Sequence, residues 1–390
     1  MIQRFLFHRP QLAQSILDGL DGSGLIDYSA GLFLAAPRRT GKSTFLRNDL
    51  APAATERGWE VVYVDLWTDR DADPGRLIDG AIVDALRRHE PRVKRWLKSA
   101  GIEEVWLKQT LRWRLHDEPR PEGATLTQLL QALHQAVGKP VLLIVDEAQH
   151  ALNTEHGMNS MFALKAARDA MNLGPESDGL RLIFTGSSRD KLATLVLNRD
   201  QPFFGNQVTP FPLLGDDFVA AYTEDMNAKL APGNTFDAGD MQQAFTRVGH
   251  RPELLTSVVK QVALELGAAP DLGRLLAQGA AEVEAGLWAE HEGLYSSLTP
   301  IQKALLDVLA SHASGPAPQA LFGEEASSQI ARRLEAHGGN GRVRPQSIQA
   351  GLDALRAKGL VWKSGRGAYA LEDSGLRDWL NSVPKGRAPR

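Results

Sequence analysis

The segment that most constrains the fold of this chain is a short apolar run that leads into a glycine-containing turn and then into a helical pattern. The apolar run spans residues 31–36, and the eight residues from Ala36 to Ser43 match the pattern G-x-x-x-x-G-K-[ST], with alanine in place of the first glycine. Such a loop presents consecutive backbone N–H groups to phosphate oxygens. A helix that starts at Lys42 also points the positive end of its dipole at the anion. The residues predicted to line this phosphate-binding loop are Ala36, Pro37, Arg38, Arg39, Thr40, Gly41, Lys42, Ser43 and Thr44.

Three further apolar runs alternate with helical patterns in the first half of the chain. The runs are Glu60–Leu66, Val141–Val145 and Arg181–Thr185, and the helical patterns lie near residues 42–57, 76–90, 125–137 and 158–172. This alternation predicts an α/β fold whose parallel sheet has helices on both faces. Pro52 falls inside the first helical pattern, so we expect it to kink or shorten that helix.

Two adjacent acids, Asp146 and Glu147, follow the third apolar run. Carboxylates at the carboxyl end of a buried parallel strand lie where ligands bind in open α/β sheets. In a site that binds ATP, Lys42 is expected to reach the β- and γ-phosphates, and Ser43 and Asp146 to hold Mg²⁺. Glu147 is then expected to orient or deprotonate the attacking water. The alternative is that the two acids are solvated and begin a loop.

A hydroxyl-rich segment follows the fourth apolar run. Ser187 is the first candidate for contact with the γ-phosphate or the attacking water, and Thr185 is the second. Arg189 could stabilise transition-state charge, in this subunit or a neighbouring one. The alternative is an ordinary turn that caps the next helix. Asp65, at the end of the second run, is expected to cap the residues after it rather than to reach the magnesium shell.

The composition excludes several classes of protein. The chain has 390 residues and no cysteine, which excludes disulfide scaffolds, thiolate zinc sites and cysteine nucleophiles. No segment approaches the ~18 apolar residues of a membrane helix, and the first ten residues lack the features of a signal peptide. We therefore expect a cytoplasmic protein. The formal net charge is −3, but residues 299–390 carry +5 and the preceding residues −8, which confines the basic character to the C-terminal part.

The patterning predicts three domains. Residues 1–210 would form the α/β core, with an insertion near residues 92–120 that contains eight basic residues and three tryptophans. Residues 211–295 read as a helical bundle. Residues 296–382 show helical patterns, a break rich in Pro, Gly and Ser at 311–318, and a β-hairpin pattern near 359–371, and residues 383–390 would be a tail.

The C-terminal domain offers one candidate surface for DNA. A predicted helix after Arg344 places Ile348, Leu352 and Leu355 on a core-facing side. The residues that could contact DNA from the opposite side and from the hairpin are Arg344, Gln346, Gln349, Arg356, Lys363 and Arg366. The same surface could instead bind a protein or act as a lid, and Asp353 on it disfavours DNA. The basic, tryptophan-containing insertion is a rival site for single strands, or simply a pair of amphipathic helices with a solvated face.

The four motifs Ala36–Ser43, Asp146–Gln149, Thr185–Arg189 and Gly249–Pro252 resemble those of the P-loop ATPases of the AAA+/STAND branch. The resemblance is greatest to the prokaryotic "archaeal-type" ATPases, which are related to origin-recognition ATPases and end in a winged helix. It implies an ATPase core, a helical lid and a C-terminal winged helix. The residues that it places near the nucleotide are Phe7, His8, Arg9, His250, Arg251 and Pro252.

The resemblance also concerns an arginine finger. Relatives often carry Gly-Arg after the helix that follows the fourth strand, whereas here Gly205 is followed by Asn206. Arg189 and Arg199 are the remaining candidates.

These features favour a Mg²⁺-dependent ATPase that acts as a molecular switch. ATP binding and hydrolysis would be coupled to domain rearrangement and to DNA or a protein partner, with self-association as a further option. One rival is a non-hydrolytic, nucleotide-stabilised adaptor that recruits a protein. A second is a P-loop kinase that acts on a small molecule, which the acidic pair and the C-terminal domain disfavour.

Overall fold

The computed structural model describes residues 5–69, 71–100, 125–173, 179–231, 233–265, 271–312, 317–365 and 367–382. Most of the predicted basic insertion and Arg366 lie outside these residues. The described chain divides into two compact units. One, the core unit, contains residues 8–36 and 42–211, and the other, the helical unit, contains residues 5–7, 37–41 and 212–382.

The core unit is built on a five-stranded parallel sheet, as the alternation of apolar runs predicts. Its strands are β1 (Leu32–Ala35), β2 (Glu60–Asp65), β3 (Val141–Asp146), β4 (Leu180–Gly186) and β5 (Val208–Pro210), in the spatial order β2-β3-β4-β1-β5. Strands β1, β3 and β4 are buried along their whole length, because helices cover both faces of the sheet. The sequence analysis missed β5, which has three residues, none of them fully buried.

The helices of the core unit are α1 (Pro10–Leu20), α2 (Lys42–Phe45), α3 (Ala51–Glu56), α4 (Pro74–Arg88), α5 (Glu90–Ala100), α6 (Leu126–Val137), α7 (Glu155–Met171) and α8 (Arg189–Leu197). The four helical patterns of the sequence analysis correspond to α2 with α3, to α4, to α6 and to α7, and their bounds lie close to the predicted ones. The sequence analysis gives no bounds for α1, α5 and α8. A π-helical turn, Leu46–Leu50, separates α2 from α3, and a 3₁₀ helix, Ala148–Asn153, follows β3. The π turn comes just before Pro52, which lacks the N–H that a continuous α-helix would need there. The predicted interruption of this helix is therefore confirmed.

The helical unit has two hydrophobic cores. Four helices, α9 (Asp216–Asn227), α10 (Ala238–Arg247), α11 (Pro252–Glu265) and α12 (Leu272–Ser296), pack around one of them. The other is surrounded by helices α13 (Pro300–Ala310), α14 (Glu324–Ala336), α15 (Pro345–Ala357) and α16 (Ser374–Ser382) and by the short strands β6 (Gln319–Ala320), β7 (Val361–Gly365) and β8 (Ala368–Leu371). These strands form an antiparallel sheet in the order β6-β8-β7. The predicted hairpin is thus β7–β8.

Within the described residues, none of the helices combines the length and the apolarity needed to span a bilayer.

Candidate nucleotide-binding site

The register of the parallel sheet brings the predicted site residues of the core unit to one edge. Ala35 of β1 pairs with Gly186 of β4, and Val145 of β3 pairs with Phe184 of β4. The backbone N–H of Ala36 also donates to the carbonyl oxygen of Gly186 across 3.1 Å. The residues that leave these three strands therefore lie side by side at the carboxyl edge of the sheet, where open α/β sheets bind ligands.

Lys42 lies at the centre of this edge and is only 6% exposed. Its Nζ donates to Oδ1 of Asp146 at 2.5 Å and to Oγ1 of Thr185 at 2.8 Å, and lies 3.3 Å from Oε1 of Glu147. A buried ammonium is costly unless anions and acceptors surround it. Here two carboxylates and a hydroxyl fill that role.

Asp146 is fully buried and accepts hydrogen bonds on both carboxylate oxygens. Oδ2 accepts from Ser43 Oγ at 2.7 Å and from Tyr63 OH at 2.8 Å, and Oδ1 accepts from Thr185 Oγ1 as well as from Lys42. Burial by itself disfavours the charged carboxylate, but the Lys42 charge and the hydroxyl donors outweigh it and lower the pKa of Asp146 to about 2. Asp146 is therefore ionised at neutral pH.

Glu147 follows with a backbone in the left-handed region, at φ 55° and ψ 40°. A residue other than glycine, asparagine or aspartate rarely adopts this conformation, and where it does the site is often functional. The side chain points Oε2 toward β4, where it accepts from Ser187 Oγ at 2.8 Å and from Gln149 Nε2 at 2.5 Å. Oε1 is the oxygen near Lys42.

Residues 37–41 of the predicted phosphate-binding loop group with the helical unit. Arg39 and Gly41 have φ values of 67° and 88°, and Thr40 between them donates from Oγ1 to the carbonyl of Pro37 at 2.8 Å. Left-handed residues in a tight turn can point successive amides toward one concave side, as in anion-binding loops. Within the same unit, Arg39 Nε lies 3.6 Å from Oε2 of Glu253, at the start of α11. Arg38 of this loop is exposed, and so is Thr44, which lies in α2 of the core unit.

The residues of this edge fit a magnesium nucleotide in their chemistry. Ser43 Oγ and the Asp146 carboxylate are adjacent oxygen donors, and Mg²⁺ is typically held by one or two protein oxygens together with phosphates and waters. In the described part of the chain, no group of three or more His, Asp and Glu side chains is arranged to hold a metal. A magnesium ion here would therefore take Ser43 and Asp146 as its protein ligands and would need phosphate oxygens to complete its coordination shell.

Several predicted residues lie in other surroundings. Phe7 packs edge-on against Phe218 in the helical unit, with ring centroids 5.7 Å apart. In the core unit, the backbone N–H of Arg9 donates to Oδ1 of Asp49 at 3.1 Å, and the same oxygen lies 2.9 Å from His8 Nδ1. The guanidinium of Arg9 lies 5.0 Å from the ring centroid of Phe211.

The turn Gly249–Pro252 belongs to the helical unit. His250 has a left-handed φ of 54°, and its ring stands edge-on to Phe245 at 5.0 Å. Arg251 pairs with Asp373 through Nη2 and Oδ2 at 3.2 Å, and Pro252 begins α11. This turn therefore contacts the C-terminal region of its own unit.

Arg189 and Arg199, the two candidates for an arginine finger, lie at α8. Arg189 is the first residue of α8, which Ser188 caps, and Arg199 is exposed beyond its end. Asp65 caps the turn after β2 by accepting from the backbone N–H of Trp67 at 2.9 Å, as expected.

The sequence analysis gave no role to two residues of the site, Tyr63 and Gln149. Tyr63 lies in β2 and donates to Asp146, and burial and the Asp146 charge together raise its pKa so that it stays a neutral donor. Gln149 is buried beside Glu147. The signal for Tyr63 is its position two residues before Asp65, since alternate residues of a strand face the same side of the sheet. The signal for Gln149 is a polar residue two positions after Glu147, within the motif Asp146–Gln149.

The polar face of α15 has a different character. Gln349 Nε2 lies 2.9 and 3.0 Å from the two oxygens of Asp353, and Arg356 Nη1 lies 3.4 Å from the same carboxylate. Arg344 and Gln346 are exposed at the N-terminal end of the helix, and Lys363 lies on β7.

Comparisons with known proteins agree with this geometry. Residues 27–192 match a family model described as an AAA domain. The fold of the chain matches that of a Walker-type ATPase of Pyrococcus abyssi with a TM-score of 0.55 and 17% identity, covering 96% of each chain. It matches the ORC2 protein of Aeropyrum pernix in its ADP form with a TM-score of 0.53 and 15% identity, covering 98% of this chain and 96% of the other.

The ADPNP–ADP complexes of the same ORC2 protein match with a TM-score of 0.50 and 15% identity, covering 95% of this chain and 91% of that one. A comparison with curated proteins gives no significant match. At these identities the structural likeness concerns the fold, while the family match concerns the segment that contains the loop, the acidic pair and the end of β4. Residues 27–192 therefore match an AAA domain, and the chain shares its fold with the Walker-type ATPase of Pyrococcus abyssi and the ORC2 protein of Aeropyrum pernix.

Proposed function

We propose that this protein binds ATP with Mg²⁺ and hydrolyses it. The observation on which the proposal rests is the buried Lys42, which lies among Asp146, Glu147 and Thr185 at the edge of the sheet. A lysine in that position, directly after a loop with left-handed residues, is suited to bind phosphate oxygens. The match to an AAA domain and the fold of a Walker-type ATPase support the same activity.

Each residue of the edge has a role in this proposal. Lys42 would exchange its carboxylate partners for phosphate oxygens, and Ser43 and Asp146 would hold Mg²⁺. The metal, when bound, supplies positive charge to the phosphate oxygens. Glu147 would take a proton from the attacking water, and Ser187, which contacts Glu147, would help to place that water.

The test is phosphate release by the wild-type chain and by Glu147→Gln. We expect the variant to bind ATP as tightly as the wild type and to lose turnover by about 100-fold or more, because the amide cannot accept a proton. Glu155→Gln, an exposed residue at the start of α7, is the matched control and should hydrolyse ATP normally. Equal rates for wild type and Glu147→Gln would contradict the role of Glu147.

The same assay separates the two rival functions. A non-hydrolytic adaptor would bind ATP and release no phosphate above the Glu147→Gln background. A small-molecule kinase would release ADP without free phosphate in the presence of an acceptor, and the acceptor would carry the label of γ-³²P-ATP. An ATPase is expected to release free phosphate and ADP in equal amounts.

We further propose that residues 296–382 form a winged helix, after a helical lid at 211–295 and an ATPase core at 1–210. Three helices, α13 to α15, and the antiparallel sheet β6-β8-β7 have the content and order of such a domain. Residues 299–390, which include the tail, carry a net charge of +5, and this suits an anionic partner such as DNA. The nucleotide state would be coupled to domain rearrangement and so to DNA binding. Titration with duplex and single-stranded DNA, with and without ATP and at two salt concentrations, tests this coupling.

A further inference from the structure

Gln149 is a buried polar residue for which the proposed mechanism has no role. It lies in the 3₁₀ helix after β3 and is only 4% exposed. Its Nε2 donates to Oε2 of Glu147 at 2.5 Å and lies 3.2 Å from Ser187 Oγ, which itself donates to the same Oε2 at 2.8 Å. Two donors on neighbouring elements therefore converge on one oxygen of Glu147.

The orientation of the Gln149 amide follows from its partner. An ionised carboxylate only accepts hydrogen bonds, so Gln149 must turn its NH₂ group toward Glu147 and its Oε1 away from it. Oε1 then faces Gly186, the last residue of β4, and a Cβ at that position would lie 2.4 Å from it. The absence of a side chain at Gly186 is thus what makes room for the amide.

The backbone conformation of Glu147 explains why its side chain needs these hydrogen bonds. Its left-handed conformation is strained for a residue other than glycine and persists only where the surroundings hold it. The side chain is held by Gln149 and Ser187 at Oε2, and Oε1 faces Lys42 Nζ at 3.3 Å. The two oxygens of Glu147 therefore have different environments, one fixed by neutral donors and one facing a cation that the proposed function assigns to phosphate.

We propose that Gln149 is a positioning residue for Glu147, which holds Oε2 through its side-chain amide so that Oε1 is the oxygen presented to the attacking water. The proposal rests on the ATPase activity proposed above. In that reaction Glu147 Oε1 takes one proton from the water whose oxygen bonds to the terminal phosphorus. The electron pair of the broken P–O bond leaves with ADP. Gly186 acts one step further away, by leaving the space that the amide of Gln149 occupies.

The first test is Gln149→Met, which keeps the length of the side chain and removes both of its hydrogen-bonding groups. We expect kcat to fall by about 100-fold, because a catalytic group displaced by about 1 Å loses that much, and the Kd for ATP to stay unchanged. The matched control is Gln302→Met. Gln302 is also buried, accepts from the backbone N–H of Thr299 at 3.0 Å, and lies in α13 of the helical unit. This control should lower the melting temperature and leave kcat as it is.

The second test is a double-mutant cycle between Gly186 and Gln149. Gly186→Ala should lower kcat in the wild-type background, because the new Cβ displaces the amide. In a Gln149→Ala background the same change should have almost no further effect, because the shorter side chain leaves room for the methyl group. Effects that simply multiply would show that Gly186 acts by another route and would overturn this part of the inference.

The outcomes separate this inference from the proposed function. If the wild-type chain releases no phosphate above the level of Glu147→Gln, the ATPase proposal fails and the positioning role fails with it. If the wild type is active and Gln149→Met has the same kcat, only the role of Gln149 is overturned. A rise in kcat for Gln149→Met would also overturn it, because Gln149 would then restrain Glu147 rather than position it.

Discussion

Two polar surfaces of this chain were predicted from the sequence to bind ligands, and they are built in opposite ways. At the edge of the parallel sheet, charged groups are buried and contact one another, as Lys42 does with Asp146 and Glu147. On the polar face of α15, Asp353 is exposed and Arg356 partly exposed, and Asp353 pairs with Gln349 and Arg356 of its own helix. Burying charged groups costs free energy, so the arrangement at the sheet edge indicates a function. Pairing of charged groups within one helix, as on α15, can occur on any helix that faces solvent.

The difference sets the size of the effects to expect. Charges in a buried site interact through a low effective dielectric and are little screened by salt. Exposed pairs typically contribute between zero and about 1 kcal/mol and weaken as salt rises. Single substitutions at the sheet edge should therefore have large effects, and those on α15 should have small, salt-dependent ones.

The largest effect in a binding measurement is expected for Lys42→Ala. The variant loses the ammonium that would hold the phosphates, so we expect the Kd for ATP to rise by about 100-fold or more. It also leaves Asp146 buried without its cation, which should lower the free energy of unfolding by about 3 kcal/mol in the absence of nucleotide. Calorimetric titration and urea unfolding measure the two effects.

A matched control for this prediction is Lys191→Ala, an exposed lysine on α8. It should bind ATP and unfold as the wild type does. Equal affinities for Lys42→Ala and Lys191→Ala would remove the contrast between the two surfaces, because a buried lysine would then matter no more than an exposed one.

A smaller effect is expected from pH. The folded pKa of Asp146, about 2, lies below its ordinary value of 3.8, so its charge stabilises the fold above about pH 4 and that stabilisation is lost as the pH falls toward 2. The shift corresponds to a contribution on the order of 2 kcal/mol. The measurement is the difference in unfolding free energy between wild type and Asp146→Asn between pH 5 and pH 2.5. The difference should shrink as the pH falls.

The corresponding control is Asp84→Asn, on the exposed side of α4, where Asp84 pairs with Arg87. Its difference from wild type should stay near zero across the same pH range, because an exposed pair contributes little. A constant difference for Asp146→Asn would mean that the carboxylate is held by its shape and hydrogen bonds and not by its charge.

The strands that could be predicted from the sequence are those whose apolar residues match a buried position in the sheet. Mainly apolar runs mark β1, β3 and β4, and an acid or a glycine turn marks where each ends. Since parallel strands end at the same edge, the meeting of Lys42, Asp146 and Thr185 follows from sequence alone. Strand β5 could not be predicted, because two of its three residues are half-buried, the third is exposed, and its place in the sheet comes from pairing with β1.

The details of the site depend on side-chain direction, which spacing does not determine. The sequence analysis names Ser187 first and Thr185 second for contact with the γ-phosphate or the attacking water. In the structure Thr185 contacts Lys42 and Asp146, while Ser187 contacts Glu147. Thr185 is buried in β4, and its side chain therefore lies beside Lys42 and Asp146 at the edge of the sheet. The role of Gln149 depends on the turn after Glu147, whose left-handed backbone has no signature in the sequence.

The smallest effect is expected on α15, and it would sharpen the comparison most. If this helix binds DNA, Arg344→Ala should weaken duplex binding a few-fold at low salt and reduce the slope of log K against log salt by about 1, because one phosphate contact is lost. Arg332→Ala removes the same charge from the exposed side of α14 and is the matched control. Equal losses for both would indicate a diffuse basic surface. A loss confined to Arg344→Ala would show that an exposed helix face whose charged groups pair with one another can still contain a specific site. Burial would then determine how large the effect of a substitution is, and would not decide whether a surface binds a ligand.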